Sequence, residues 1–165
     1  MARLILEQPG EDDTVGGDVD VFGTVSGGEE INVTSGSDIS LDASFNQGGD
    51  TIYLPGEAEE YTAQVEGSFV ILTSAANDVT IRIPVGTVGT TVVFGGDDSR
   101  TLVIDQDQGT VELDGEVIDA SPDTLSPGDD EPAQYTIQAN APTVTEGDDG
   151  TGMLTYTIAL DRPGG

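Results

Sequence analysis

Apolar and polar residues alternate in short bursts along the first third of the chain. Each burst follows a glycine or serine and an acid. The segments read Gly17-Asp18-Val19-Asp20-Val21, Gly28-Glu29-Glu30-Ile31-Asn32-Val33, Ser37-Asp38-Ile39-Ser40-Leu41 and Gly49-Asp50-Thr51-Ile52-Tyr53-Leu54. A period of two turns one side of each strand inward. Glycine ahead of the acid admits a turn with positive φ, in which carbonyls and carboxylates converge. Tandem short strands with such turns predict a parallel β-roll, degenerate because the intervals are unequal. Four ordinary antiparallel strands joined by polar turns fit the same pattern.

From Glu57 to Asp119 the pattern changes. Tyr61–Val65, Ser68–Thr73, Val79–Pro84, Thr90–Phe94, Thr101–Ile104, Thr110–Leu113 and Glu116–Ile118 are strand candidates, separated by Gly-, Asn- and Asp-bearing turns. Short strands at this spacing predict an antiparallel sheet or sandwich that continues the roll. Asp114-Gly115 is a two-residue hairpin signal. No segment has a helical period. Residues 120–133 carry Pro122, Pro127 and Pro132 with Asp129-Asp130-Glu131, and read as a stiff charged linker. Two further strands, at Gln134–Ile137 and Gly152–Leu160, flank the loop Glu146–Thr151. Two or three strands cannot bury a core alone. The expected organisation is an N-terminal extension (1–16), a β-roll and sandwich module (17–119), the linker (120–133) and a partial domain (134–165). The fold class is all-β.

Charge sharpens this picture. Thirty-two acids face four basic residues, giving a formal net charge of −28 on 165 residues. The basic residues are all arginine, and histidine and cysteine are absent. Self-repulsion on this scale calls for bound cations or high salt. Salt adaptation is one explanation of the acidity. The glycine–acid spacing favours the other, hard oxygen-seeking cations, of which calcium is the commonest outside cells. Lack of Cys and His excludes disulfides, thiolate or imidazole zinc sites, and triad or cysteine-protease chemistry. The acidic surface argues against nucleic acid, whose binding needs phosphate neutralisation. The longest apolar run, Phe69–Leu72, is too short to cross a bilayer. Met1–Leu6 is too short for a secretory signal core. Paired acids also serve glycoside hydrolysis, but with so many acids some pair meets any spacing by chance, and Trp is absent. The chain is expected not to be an enzyme.

Residues Leu41 to Gly56, with Glu60-Tyr61, Gly67-Ser68, Ile83-Pro84-Val85-Gly86, Val93-Phe94 and Ser99-Arg100-Thr101-Leu102, resemble modules of large bacterial repeat proteins of the RTX and surface-layer type. The resemblance spans about residues 17–119 and lacks the strict glycine nonapeptide of RTX proteins. Val144-Thr145-Glu146-Gly147-Asp148, Gly150-Thr151-Gly152 and Tyr156 to Pro163 resemble the opening of a Calx-beta domain, an immunoglobulin-like sandwich that binds calcium. These resemblances imply a cell-surface location, export through a type I secretion channel, and calcium ligands at Glu146 and Asp148.

The turn acids supply the remaining candidate ligands: Asp18, Asp38 and Asp50 first, then Glu30, Asp42 and Asn46. The expected function is an extracellular calcium-binding structural repeat module of an adhesin or surface-layer protein, stiffened by calcium. Its partners would be neighbouring repeats or other copies, without membrane insertion. A calcium-dependent module that binds glycans or host surfaces is the alternative.

Overall fold

In the computed structural model, which describes residues 2–7, 12–95 and 98–128, the chain winds back and forth between two sheets. Strands β1 (Ala2–Ile5), β2 (Asp12–Val15), β3 (Asp18–Phe22), β4 (Glu30–Val33), β5 (Ser37–Leu41) and β6 (Thr51–Tyr53) alternate between them. The odd-numbered strands run parallel in one sheet and the even-numbered ones run parallel in the other. This is a parallel roll, and the antiparallel reading of these strands does not hold. Each strand crosses to the opposite sheet, so its neighbour is the strand two earlier, running the same way.

A hairpin then interrupts the winding. Strands β7 (Thr62–Glu66) and β8 (Phe69–Ser74) pair antiparallel, and β9 (Val79–Pro84) joins antiparallel to β8 and parallel to β5. Strand β10 (Thr90–Val93) lies parallel to β6, so β9 and β10 form the roll's last coil. A meander of β11 (Ser99–Asp105), β12 (Thr110–Leu113) and β13 (Glu116–Val117) extends one sheet, and β14 (Asp123–Thr124) closes the other beside β7. The sheet orders are β1-β3-β5-β9-β8-β7-β14 and β13-β12-β11-β10-β6-β4-β2. At the β12–β13 hairpin Asp114 (φ 52°) and Gly115 (φ 83°) both lie in the left-handed region, as a type I′ turn requires. Among the described residues there is no α-helix.

Two expected boundaries move. Strands β1 and β2 lie within residues 1–16, expected as an extension, and Leu6 is buried. Strand β14 and the buried Leu125 lie within the expected linker. The partial domain at 134–165 falls outside the described residues.

Period-two alternation builds the core between the sheets. Val19, Ile39, Ile81, Leu72 and Ala63 stand in register across β3, β5, β9, β8 and β7, all buried. Opposite them Ile31, Ile52 and Val92 form a row across β4, β6 and β10, each fully buried. Tyr61 meets Phe94 edge-on at 5.3 Å between ring centroids, and its hydroxyl donates to the Pro55 carbonyl at 2.6 Å. Each described arginine lies over a phenylalanine ring: Arg3 over Phe22, Arg82 over Phe69 and Arg100 over Phe94. Aromatic rings thus help to hold the scarce cations, and Arg100 is held by carboxylates as well.

Candidate functional site

The turns that carry the chain from β3 to β4 and from β5 to β6 stack on one another at one end of the roll. Within the second turn Asp42 caps a single 3-10 turn, Ala43–Asn46, by accepting from Ser44 N at 3.2 Å. The same Asp42 Oδ1 accepts from the Ser44 hydroxyl and from Gly23 N, at 3.3 Å, in the turn above. The turns approach so closely that a Cβ at Gly27 would overlap the Gly48 carbonyl oxygen, and Gly27 is also in the left-handed region at φ 64°. Only glycine meets both conditions.

At the end of each turn an acid enters the interior. Glu29 and Asp50 immediately precede β4 and β6, and Thr90 opens β10. Thr51 N donates to Glu29 O at 2.8 Å and Thr91 N donates to Asp50 O at 2.9 Å, which carries the parallel ladder through these positions. Alternation puts Glu29 and Asp50 on the same face as Ile31 and Ile52. Glu29 is 1% exposed and Asp50 is 0% exposed.

Backbone donors fix one oxygen of each carboxylate. Asp50 Oδ1 accepts from Gly28 N at 2.8 Å and Glu29 N at 3.1 Å, and Glu29 Oε1 accepts from Thr24 N at 2.6 Å. With both groups ionised, Glu29 Oε2 and Asp50 Oδ2 are buried without a donor. Burial, then the Glu29 side chain as hydrogen-bond partner, pushes the Asp50 carboxyl up to about 7. Burial also acts to raise Glu29, but its hydrogen bonds with the Asp50 side chain and Thr24 outweigh this and lower it. One buried pair therefore holds a proton on Asp50 at mildly acidic pH, or needs another positive charge in its place.

The other expected ligands do not gather around it. Asp18 and Asp38 are register partners on β3 and β5, but both side chains are exposed on the outer face of their sheet. Glu30 sits opposite Thr51 on the outer face of β4. Asn46 accepts from Gln47 Nε2 at 2.7 Å at the surface of the same turn as Asp42. Glu146 and Asp148 lie outside the described residues. Among the described residues no three His, Cys, Asp or Glu side chains converge as a metal cluster. Glu29 was not anticipated, although its parity with Ile31 and Val33 marks it as inward.

A second polar centre lies at the far end of the sandwich. Arg100 is bidentate to Asp98 (Nε 3.0 and Nη2 2.8 Å to Oδ2, Nε 3.1 Å to Oδ1) and lies 3.5 Å from Glu116 Oε2. It also donates to the Ser126 carbonyl at 2.7 Å, while Ser126 N donates back to Glu116 Oε2 at 3.2 Å. These residues line a cleft of about 300 Å³. The guanidinium is engaged on several sides by protein groups, and the arrangement straps residues 125–128 onto the sandwich. In the β11–β12 loop Asp105 accepts from the Gln108 side-chain amide, Gln108 N and Asp107 N, and these hydrogen bonds lower its carboxyl. That loop is a closed turn.

No family model, curated protein or solved structure matches this chain.

Proposed function

We propose that the chain is an extracellular structural repeat module of a large bacterial adhesin or surface-layer protein, stiffened by calcium. The observation that carries this reading is the coil-to-coil bonding of the acidic turns. Asp42 and Asp50 of one turn accept from Gly23, Gly28 and Glu29 of the turn before it. Winding of this kind makes a stiff, extendable rod section, and its non-catalytic role needs no substrate cleft. The high acid content supplies oxygen ligands for a hard cation, and the resemblance to RTX and surface-layer repeats agrees with that chemistry.

Calcium would link folding to location. In a low-calcium compartment the acids repel one another, and millimolar calcium outside the cell favours the folded state by mass action. Thermal melting in calcium, against sodium chloride of equal ionic strength, tests this. A calcium-specific rise supports the proposal, whereas equal responses assign the acidity to salt adaptation. A glycan array run with calcium separates the spacer from a glycan-binding module, because a spacer binds nothing on it.

A further inference from the structure

Among the described residues Glu29 and Asp50 are the acids that water does not reach. Backbone N–H groups of Thr24, Gly28 and Glu29 fix one oxygen of each, and the other two oxygens, Glu29 Oε2 and Asp50 Oδ2, have no donor. The two side chains are hydrogen-bond partners of each other. Two carboxyl groups can bond in this way only when one of them carries a proton.

We propose that Glu29 and Asp50 form a proton-operated latch between the stacked turns 23–29 and 42–50. A proton donated by Asp50 to Glu29 holds the first turn closed, and its loss lets that turn open while the sandwich stays folded. The latch does not depend on the calcium reading above. Its lining selects a proton over a metal ion, because the remaining polar contacts of the pair are N–H donors, and among the described residues no third acid converges on it. Without the proton two negative charges face each other away from water, and opening to solvent relieves them.

The first turn is the part that gives. Val25 at its tip is exposed, and no side chain before Glu29 anchors the turn in the core. The second turn is anchored by the fully buried Phe45, whose carbonyl accepts from the Thr90 hydroxyl at 3.0 Å. Local opening of so weakly packed a segment costs less than global unfolding. The charged groups on the surrounding elements are directed elsewhere. Asp42 is held by Ser44 and Gly23 N, and Glu30 is on the outer face of β4. Asp18 and Asp20 of β3, Asp38 of β5 and Arg82 of β9 are on the outer face of the opposite sheet. Asp13 of β2 turns inward, but in register with Ile31, one inward position beyond Glu29. Residues 85–89, ahead of β10, include no ionisable side chain.

Amide hydrogen exchange of the full chain reads this residue by residue, followed by NMR in chelator from weakly acidic to alkaline pH and corrected for intrinsic rates. Asp50 holds its proton in the closed form up to about pH 7, and Glu29 is ionised there in both forms. Protection of Gly28 N and Glu29 N is therefore expected to fall about tenfold for each pH unit beyond that, one proton being lost on opening. Ile118 N, bonded to Val111 O in the meander, should keep its protection. Asp50→Asn donates to Glu29 without titrating, and Glu29→Gln donates to Asp50 in return. Each should remove the pH dependence, and either one suffices if the other fails to fold. Protection of Gly28 that ignores pH overturns the latch, as does a pH dependence that survives in a folded variant, since another group then titrates. Loss of protection at Ile118 in step with Gly28 overturns it as well, because the pair then supports the whole fold and not one turn.

Discussion

Asp50 accepts a hydrogen bond from the backbone N–H of Glu29, 21 residues earlier, and its side chain lies beside the Glu29 carboxyl in the same inward row. Parallel winding produces this contact. In a roll, equivalent turn positions of successive coils become spatial neighbours, so acids separated by one coil become a pair.

The first prediction concerns pH in metal-free buffer. The Asp50 carboxyl is raised to about 7 in the fold, from an ordinary carboxylate value near 4 when unfolded. Its contribution to stability is fully present below the unfolded value and is lost as pH rises through about 7. Glu29 is lowered, so its contribution acts in the opposite sense and is lost as pH falls through its folded value. The melting temperature should therefore drop between weakly acidic and alkaline pH, where most other carboxylates are already ionised. Asp50→Asn should flatten that drop. A wild-type melting temperature that holds or rises through neutrality contradicts the assignment.

Core packing gives a second prediction. Ile52 is fully buried between Ile31 and Val92 in the parallel row. Ile52→Ala should cost about 2–5 kcal/mol, because it removes buried methyl groups and leaves a cavity that the neighbouring strands cannot fill. Val25 is 91% exposed, so Val25→Ala should change stability by less than about 0.5 kcal/mol. Urea unfolding of both variants tests the contrast.

Turn stacking gives a third. Gly27 and Gly67 share a φ of +64°, but a Cβ at Gly67 meets nothing within 4 Å whereas one at Gly27 strikes the Gly48 carbonyl. Gly67→Ala should cost roughly 1–2 kcal/mol, from left-handed strain alone. Gly27→Ala should cost clearly more, since it also forces two turns apart. Equal losses in denaturant unfolding would show that the turns are not in close contact.

How far the sequence could be read follows from side-chain parity. Alternation alone located β3 to β6, and the hairpin signal at Asp114-Gly115 lies where the chain reverses between β12 and β13. Grouping the four acidic motifs together hid a difference between them. Asp18 and Asp38 directly precede an inward residue, Val19 or Ile39, so they face out. Asp50 stands two residues before the inward Ile52, so it faces in, and Glu29 has the same relation to Ile31. Glu30 is one step out of phase. The pairing of Glu29 with Asp50 was legible only with the register of the parallel strands. The β1–β2 coil was missed because Ala2–Ile5 has no glycine–acid turn before it. The β14 strap was missed because two residues carry no period.

The last prediction concerns that strap. Pro122, Pro127 and the acids of residues 120–133 resemble a linker in composition, yet Thr124 pairs with Thr62, Leu125 is 2% exposed, and Ser126 bonds Arg100 and Glu116. A chain ending at Gly128 should keep the stability of the sandwich, whereas one ending at Ser121 loses the edge strand, the Leu125 contact and the Ser126 carbonyl that Arg100 uses. Burial of one leucine side chain is worth about 1.5–3 kcal/mol, and the lost strand pairing and hydrogen bonds add to it. Arg100→Met tests the same strap without shortening the chain. It leaves Asp98 and Glu116, at 15% and 31% side-chain exposure, without their cation. The loss should be below the roughly 3–5 kcal/mol expected when a fully buried pair is broken, because water reaches both acids. Limited proteolysis should then open first around residues 121–128 in Arg100→Met and not in the wild type. Equal stability of the two truncated chains, with no new cleavage in Arg100→Met, would return this segment to the linker.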